Sequence, residues 1–331
     1  MAVVHNFVHQ LVHRNVARLS RAGRDRRSVQ SEAMRVLVTG GAGFVGSNIA
    51  DALDARGDLV VVLDDLSTGD PRNLAPDMAF RHASVSDEKQ LFDVLKGEGF
   101  DAVVHCAAKT KVVESMEKAD LYHRVIVDGT RNVVSLAEKL RAQILVNIST
   151  GGAMYGETAV CATEDVPAQP DSNYGRFKLE AEAIVAASEV PSITLRCANI
   201  YGPRQRQDLE GGVIAIFLGL WRKKQPVTIF GKGTAERDYV YVGDVADAVM
   251  SAFAGDWSGV YNIGTGVPTS VNALIALFSD LLGPPAGVVR APARPVETQR
   301  ACVDPGKAVR DGLWTPKTTL REGLRKTIEL A

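Results

Sequence analysis

Several classes of protein are excluded by what this chain has little of. Four cysteines occur in 331 residues (Cys106, Cys161, Cys197 and Cys302), far apart and with no Cys-x-x-Cys pair. They read as reduced, mostly buried thiols of a cytoplasmic protein, and no metal-ligand set is expected. The net charge of −1 gives no excess of either sign to attract nucleic acid or a membrane surface. No apolar run approaches the ~20 residues needed to span a bilayer. What remains is ordinary globular composition, 46% hydrophobic and 23% charged. That suits one large domain or two intimately joined ones.

Residues 1–33 stand apart. Arg14, Arg18, Arg21, Arg24, Arg26 and Arg27 face only Asp25 and Glu32, with no strand or glycine turn. Val4, Phe7, Val8, Leu11 and Leu19 could line a frayed helix, and a transit peptide would share the Arg-rich, acid-poor composition. The segment is expected to be a dispensable, disordered basic extension, with Met34 as the functional start.

The stretch Val36–Gly46 organises the rest. An apolar strand breaks into Gly40, Gly43 and Gly46 and resumes as a helix through Ile49, Ala50 and Leu53. Such glycines let the backbone turn tightly and approach a pyrophosphate at the helix N-terminus. A second apolar run, Leu59 to Leu63, ends in Asp64-Asp65. A carboxylate there accepts from a ribose 2′-OH and repels a 2′-phosphate, which favours NAD.

Strand and helix patterns then alternate. Strands are expected at Met78–Ala83, Asp101–His105 and Ile144–Ile148. Helices are expected after Ser86-Asp87-Glu88 and through Val125, Val133, Val134, Leu136 and Leu140. The order predicts an α/β fold, a doubly wound parallel sheet of Rossmann type with a smaller C-terminal lobe. The boundaries read as an NAD-binding domain over 34–196 and a substrate lobe over 197–331, some of whose segments return to the sheet. Cys106-Ala107-Ala108, at a strand end, is small enough to lie against a flat cofactor.

Beyond the fifth strand lies Ser149-Thr150-Gly151-Gly152-Ala153-Met154-Tyr155-Gly156, and then Tyr174-Gly-Arg-Phe-Lys178 opens a helix. Spacing of four puts Tyr174 and Lys178 on one face. A phenol with pKa near 10 is a poor base at neutral pH, and an ammonium with an oxidised nicotinamide beside it would lower that value. Gly211-Gly212 precedes an apolar helix, Val213 to Trp221, whose N-terminus could receive a phosphate. Arg237, before a short strand, offers a fork suited to a diphosphate.

These motifs resemble the extended, nucleotide-sugar epimerase/dehydratase branch of the short-chain dehydrogenase/reductases. The resemblance runs from Met34 to about Leu330. It rests on the glycine turn, Leu63-Asp-Asp-Leu-Ser-Thr-Gly69, His105-Cys-Ala-Ala-Lys-Thr110, the hydroxyl loop, Tyr174/Lys178, Ala198-Asn-Ile-Tyr-Gly-Pro-Arg-Gln205 and Asp304-Pro-Gly-Lys-Ala308. The UDP-glucose 4-epimerase group is the nearest in style.

The resemblance implies an NAD-dependent isomerase that inverts C4 of a UDP-hexose through a 4-keto intermediate. It implies NAD contacts at Phe44, Val45, Asp64, Asp65, Leu66, Ser67, Thr68, Gly69, Ser84, Val85, Cys106, Ala107, Ala108, Thr110, Tyr174 and Lys178. Tyr174, Lys178 and Thr150 are the implied catalytic residues. Thr150 replaces the hydroxyl that many relatives carry at the position of Gly151, and Ser149 is the alternative. Asn199, Gly212, Val213, Thr228, Arg237, Arg294 and Glu297 are implied to hold the nucleotide, with Ala301 leaving room for an N-acetylated sugar. A cytoplasmic homodimer joined through a four-helix bundle is implied too. Two departures stand out: Ile126 where relatives often have Asn, and Gly151 where many epimerases carry the hydroxyl. Gly152-Ala153, where dehydratases carry Asp-Glu, disfavours dehydration. Dehydration and a catalytically silent NAD-binding protein remain the alternatives.

Overall fold

The computed structural model describes residues 33–208, 212–293 and 298–330. The basic extension therefore lies outside the described residues, apart from Ala33. Seven strands form one parallel sheet: β1 (Arg35–Thr39), β2 (Leu59–Asp64), β3 (Ala79–His82), β4 (Ala102–His105), β5 (Ile144–Thr150), β6 (Ser192–Cys197) and β10 (Gly259–Ile263). Their order is β10-β6-β5-β4-β1-β2-β3. β1, β2, β4 and β5 follow from near-continuous apolar runs, as strands buried on both faces require. Alternate side chains go to opposite cores. Val36, Val38, Val62, Val104 and Val146 pack on one face; Leu37, Val61, Leu63, Val103 and Leu145 pack on the other. At about 1.5–3 kcal/mol for each large apolar side chain buried, these two layers dominate the stabilisation.

Strand order reverses between β1 and β4, and there the carboxyl ends of the strands open a crevice. Two details shape its rim. Gly40 has φ +67°, and a Cβ on it would stand 2.7 Å from the Ala107 backbone. Glycine is required here so that the two strand ends can approach each other. The expected helix through Val125 is interrupted, because Arg124–Asp128 forms a π turn between the helices Ala119–His123 and Gly129–Leu140. Thr130 Oγ1 donates to the Ile126 carbonyl within it, at 2.5 Å.

The later chain is interleaved with the sheet. β10 adds to its edge, and the helix Val242–Ala252 packs on the helix Phe44–Arg56. The remaining strands are β7 (Asn199–Tyr201), β8 (Val227–Phe230), β9 (Glu236–Tyr241), β11 (Pro268–Ser270), β12 (Val288–Ala291) and β13 (Arg300–Ala301). β9 is the hub, pairing with β7, β11 and β13. A separate core of Tyr201, Phe217, Leu218, Leu274, Phe278 and Leu324 lies beneath.

One expectation from the sequence fails. Cys161 and Cys302 are not reduced thiols but form a disulfide, with Cα atoms 4.6 Å apart. They are 141 residues apart in sequence, yet their segments are paired: Ala162 bridges Val303, and its amide donates to the Cys302 carbonyl at 2.9 Å. Spacing along the chain could not reveal that adjacency. Cys106 and Cys197 are free, the first half-buried and the second buried.

Candidate active site

The crevice is lined from both halves of the chain. Gly40, Gly43, Phe44, Val45 and Gly46 form one end, followed by Asp64, Asp65, Ser67 and Thr68. Val85, Cys106, Ala107, Ala108 and Thr110 form the middle, and Thr150, Tyr174, Lys178, Asn199 and Gly212 the far end. The helix Phe44–Arg56 begins at Gly43 with no side-chain cap, so its first amides face the cavity. A Cβ on Gly46 would fall 2.3 Å from the Gly40 carbonyl oxygen, so side chains are excluded from that cradle. Asp64 Oδ2 accepts from the Ala42 amide (3.0 Å) and Oδ1 from the Leu66 amide (2.8 Å). Burial nonetheless raises its carboxyl above the usual range. Each oxygen keeps a lone pair for a ribose hydroxyl. A glycine cradle, an uncapped helix and an anchored carboxylate together fit a dinucleotide with a free 2′-OH.

Leu66, Gly69 and Ser84 act behind the wall rather than in it. Leu66 takes φ +57° and gives its amide to Asp64. A Cβ on Gly69 would approach Asp64 Oδ1 to 2.7 Å. Ser84 Oγ donates to Asp65 at 3.3 Å.

The reacting end is built where β5 meets the helix Asn173–Ala186. Ser172 caps that helix by accepting from the Gly175 amide at 3.2 Å. Lys178 is buried and donates to the Ile148 carbonyl at 2.7 Å, while burial pushes its ammonium below the ordinary value. The Thr150 hydroxyl accepts from the Ala153 amide (3.2 Å), and it and the Tyr174 phenol both line the crevice. Burial pushes the Tyr174 phenol up to about 12, with the Thr150 hydroxyl beside it acting the other way. The chain by itself therefore leaves Tyr174 a weaker acid than the sequence reading expects. A Cβ on Gly151 would stand 2.5 Å from Val303, so no hydroxyl side chain fits there. Ser149 donates instead to buried Glu182, at 2.5 Å. Of the two candidate hydroxyls, Ser149 is engaged by Glu182, and Thr150 is the one whose influence reaches the Tyr174 phenol.

The sequence matches the NAD dependent epimerase/dehydratase family over residues 36–264. The chain belongs to that family. Among the relatives of this epimerase/dehydratase, a UDP-glucose 4-epimerase of Mycolicibacterium smegmatis is 34% identical over 89% of this chain and 98% of its own. Two solved structures are similar as well. The UDP-glucose 4-epimerase of Thermotoga maritima, with UDP-glucose, has TM-score 0.85 and 36% identity over 90% of this chain and 98% of that one. The UDP-glucose 4-epimerase of Thermus thermophilus, complexed with NAD, has TM-score 0.84 and 36% identity over 89% and 98%.

The other expected nucleotide-holding residues of this family member are scattered. Val213, Thr228, Arg237 and Ala301 do not line the crevice; Arg237 and Ala301 are paired in register on β9 and β13. Arg294 and Glu297 lie outside the described residues. The sequence reading missed Lys109, Arg204, Gln205 and Arg206, all of which line the crevice. Arg204 sits at φ +70°, pairs with Asp51 at 2.6 Å, and follows Pro203, whose carbonyl accepts from Asn48 at 3.2 Å. Arg206 donates to the Thr68 carbonyl at 3.1 Å. The signal was the Gly-Pro-Arg turn just after a strand end, read only as part of a motif.

No helix among the described residues is long and apolar enough to cross a membrane. No cluster of metal-ligating side chains occurs among them either.

Proposed function

We propose that this enzyme inverts C4 of a UDP-hexose, interconverting UDP-glucose and UDP-galactose through a 4-keto sugar, and accepts the N-acetylated pair. The observation that carries this reading is the convergence of Tyr174, Lys178 and Thr150 at the β5 tip, in the same crevice as the glycine cradle and Asp64. When bound, NAD would supply a reversible hydride acceptor for C4. Tyr174 would take the 4-OH proton as C4 is oxidised and return it to the C4 oxygen when hydride comes back to the opposite face of the turned 4-keto sugar. Lys178 holds the nicotinamide ribose and contributes positive charge. Thr150 donates to the phenolate oxygen and orders the proton's path. Gly152-Ala153 provides no acid to expel water, which disfavours dehydration.

The test is UDP-galactose with NAD and no added reductant. UDP-glucose should form at constant NADH, whereas a 4-keto-6-deoxy product would favour dehydration and binding without turnover a silent protein. Tyr174→Phe should lower kcat by roughly 10²–10⁴ with little change in UDP-sugar affinity. Wild-type turnover in that variant would mean that the base lies elsewhere. Thr150→Val should slow turnover more than Ser149→Ala.

The homodimer and the cytoplasmic setting are carried forward as proposals on the family resemblance. The second loses the support that four reduced thiols gave it. Sedimentation equilibrium checks the first.

A further inference from the structure

Behind the reacting groups lies an ion pair that the proposed chemistry does not use. The helix Asn173–Ala186 carries Tyr174, Lys178 and Glu182 at spacings of four, hence on one face. They meet the last three residues of β5. Tyr174 shares the crevice wall with Thr150, Lys178 donates to the Ile148 carbonyl at 2.7 Å, and Glu182 accepts from the Ser149 hydroxyl at 2.5 Å. Successive turns of one helix thus face successive residues of one strand. The third contact is the deepest, since Ser149 and Glu182 are each 5% exposed. Glu182 is fixed in turn by Arg196, whose Nε and Nη2 donate to its carboxylate at 3.0 and 2.7 Å.

Groups from three elements face Lys178. These are His105 and Cys106 at the end of β4, Cys197 in β6, and Glu182 on its own helix, to which Arg196 is bound. Burial holds the imidazole neutral, down to about 3, and pushes both thiols up to about 12. Tyr174 is neutral for the same reason, and Arg196 is a cation. Within that group Glu182 is the anion, and its charge favours the ammonium that burial opposes. A buried ion pair adds little net stability over apolar residues of the same volume. Its placement one turn beyond Lys178 and against the strand tip gives it a different use.

Resting on the functional reading above, we propose that Glu182 is a positioning residue. It holds Ser149, and so the strand tip that carries Thr150, and it fixes a negative charge one helical turn from Lys178.

The experiment compares Ser149→Ala, Glu182→Gln and the double variant Glu182→Gln/Arg196→Gln with the unaltered enzyme. It measures kcat and KM for UDP-galactose, the NAD dissociation constant across about pH 6 to about pH 10, which brackets neutral sites and an ordinary lysine, and the melting temperature. Ser149→Ala should lower kcat roughly tenfold through misaligned geometry, less than Thr150→Val does, with KM and NAD affinity near wild type. Glu182→Gln should move the basic limb of NAD binding and of kcat to lower pH by about one unit. The double variant removes the uncompensated guanidinium and serves the same measurement if the single change does not fold. A folded 182 variant whose basic limb stays in place overturns the inference, and so does wild-type kcat in Ser149→Ala. An enzyme that binds NAD but never turns over UDP-galactose would sink the functional reading instead, leaving the NAD titration to judge Glu182.

Discussion

Asp64 shows how much of a site one side chain can hold. Its two oxygens already anchor the Ala42 and Leu66 amides, so the carboxylate shapes the turn before any ribose arrives. Replacing it removes both the anchor and the acceptor. Asp64→Ala should weaken NAD by about 1.5–3 kcal/mol, the range for a hydrogen bond to a charged group, or roughly 10- to 150-fold. Equal affinity of the unaltered protein for NAD and NADP would overturn the assignment. Although it does not line the crevice, Ala301 is proposed, on the family resemblance, to leave room for an N-acetyl group by being small. It is buried and pairs in register with Arg237, which places it beside the candidate diphosphate fork. Ala301→Tyr should abolish turnover of UDP-N-acetylglucosamine and UDP-N-acetylgalactosamine while sparing UDP-galactose, because overpacking is relieved only partly. If the unaltered enzyme already refuses N-acetylated sugars, something other than residue 301 closes the pocket.

At the scale of elements, β1, β4 and the helix Gly129–Leu140 are locked by one imidazole. His105 Nδ1 lies 2.7 Å from Thr39 Oγ1, and Nε2 lies 3.0 Å from Thr130 Oγ1. Thr130 gives its proton to the Ile126 carbonyl, so it must accept from Nε2–H, and Nδ1 must accept from Thr39. The ring is neutral, its value pushed by burial from 6.5 down to about 3. The sign follows from linkage: between those values the unfolded chain binds the proton more, so stability is full above 6.5 and falls with acidification. The slope from this group is about 1.4 kcal/mol per pH unit. Denaturant titrations of His105→Gln should show a flatter decline between about pH 6 and about pH 4 than the unaltered protein, inside that window. Equal slopes would show that the imidazole does not titrate there. β1, β2, β4 and β5 were legible because fully buried strands leave nearly uninterrupted apolar runs, whereas β6 was not expected. The π turn was not, since one extra residue in a helical turn barely disturbs the apolar pattern around Val125 and Val133. The glycine cradle, Asp64 and Tyr174/Lys178 were legible because their chemistry is local. Arg204 and Arg206 were not, because their place at the crevice depends on the chain crossing back over Asp51 and Thr68.

At the scale of the molecule, the late segments are tied to the early ones in two ways. β10 completes the sheet edge beside β6. Cys302, just after β13, is bonded to Cys161, which follows the hydroxyl loop, across 141 residues. Hydrogen bonds hold the same two segments without the bond: the Ala162 amide donates to the Cys302 carbonyl at 2.9 Å, and the Asp304 amide to the Ala162 carbonyl at 2.8 Å. The native contact should therefore survive loss of the cross-link, and the disulfide should act mainly by restricting the unfolded chain. Chain entropy for a loop this long gives about 5 kcal/mol, while disulfides typically deliver about 2–4 kcal/mol. A Cys161→Ser/Cys302→Ser variant should then melt roughly 4–8 °C below the oxidised protein. Dithiothreitol should bring the unaltered chain down to the same midpoint and leave the variant unmoved. Thiol titration in denaturant gives an independent check: only Cys106 and Cys197 should react before reduction, and all four cysteines after it. Four reactive thiols in the untreated protein would mean that the bond does not form. An oxidised protein that melts with its double-serine variant would instead place the disulfide's effect outside the unfolded state.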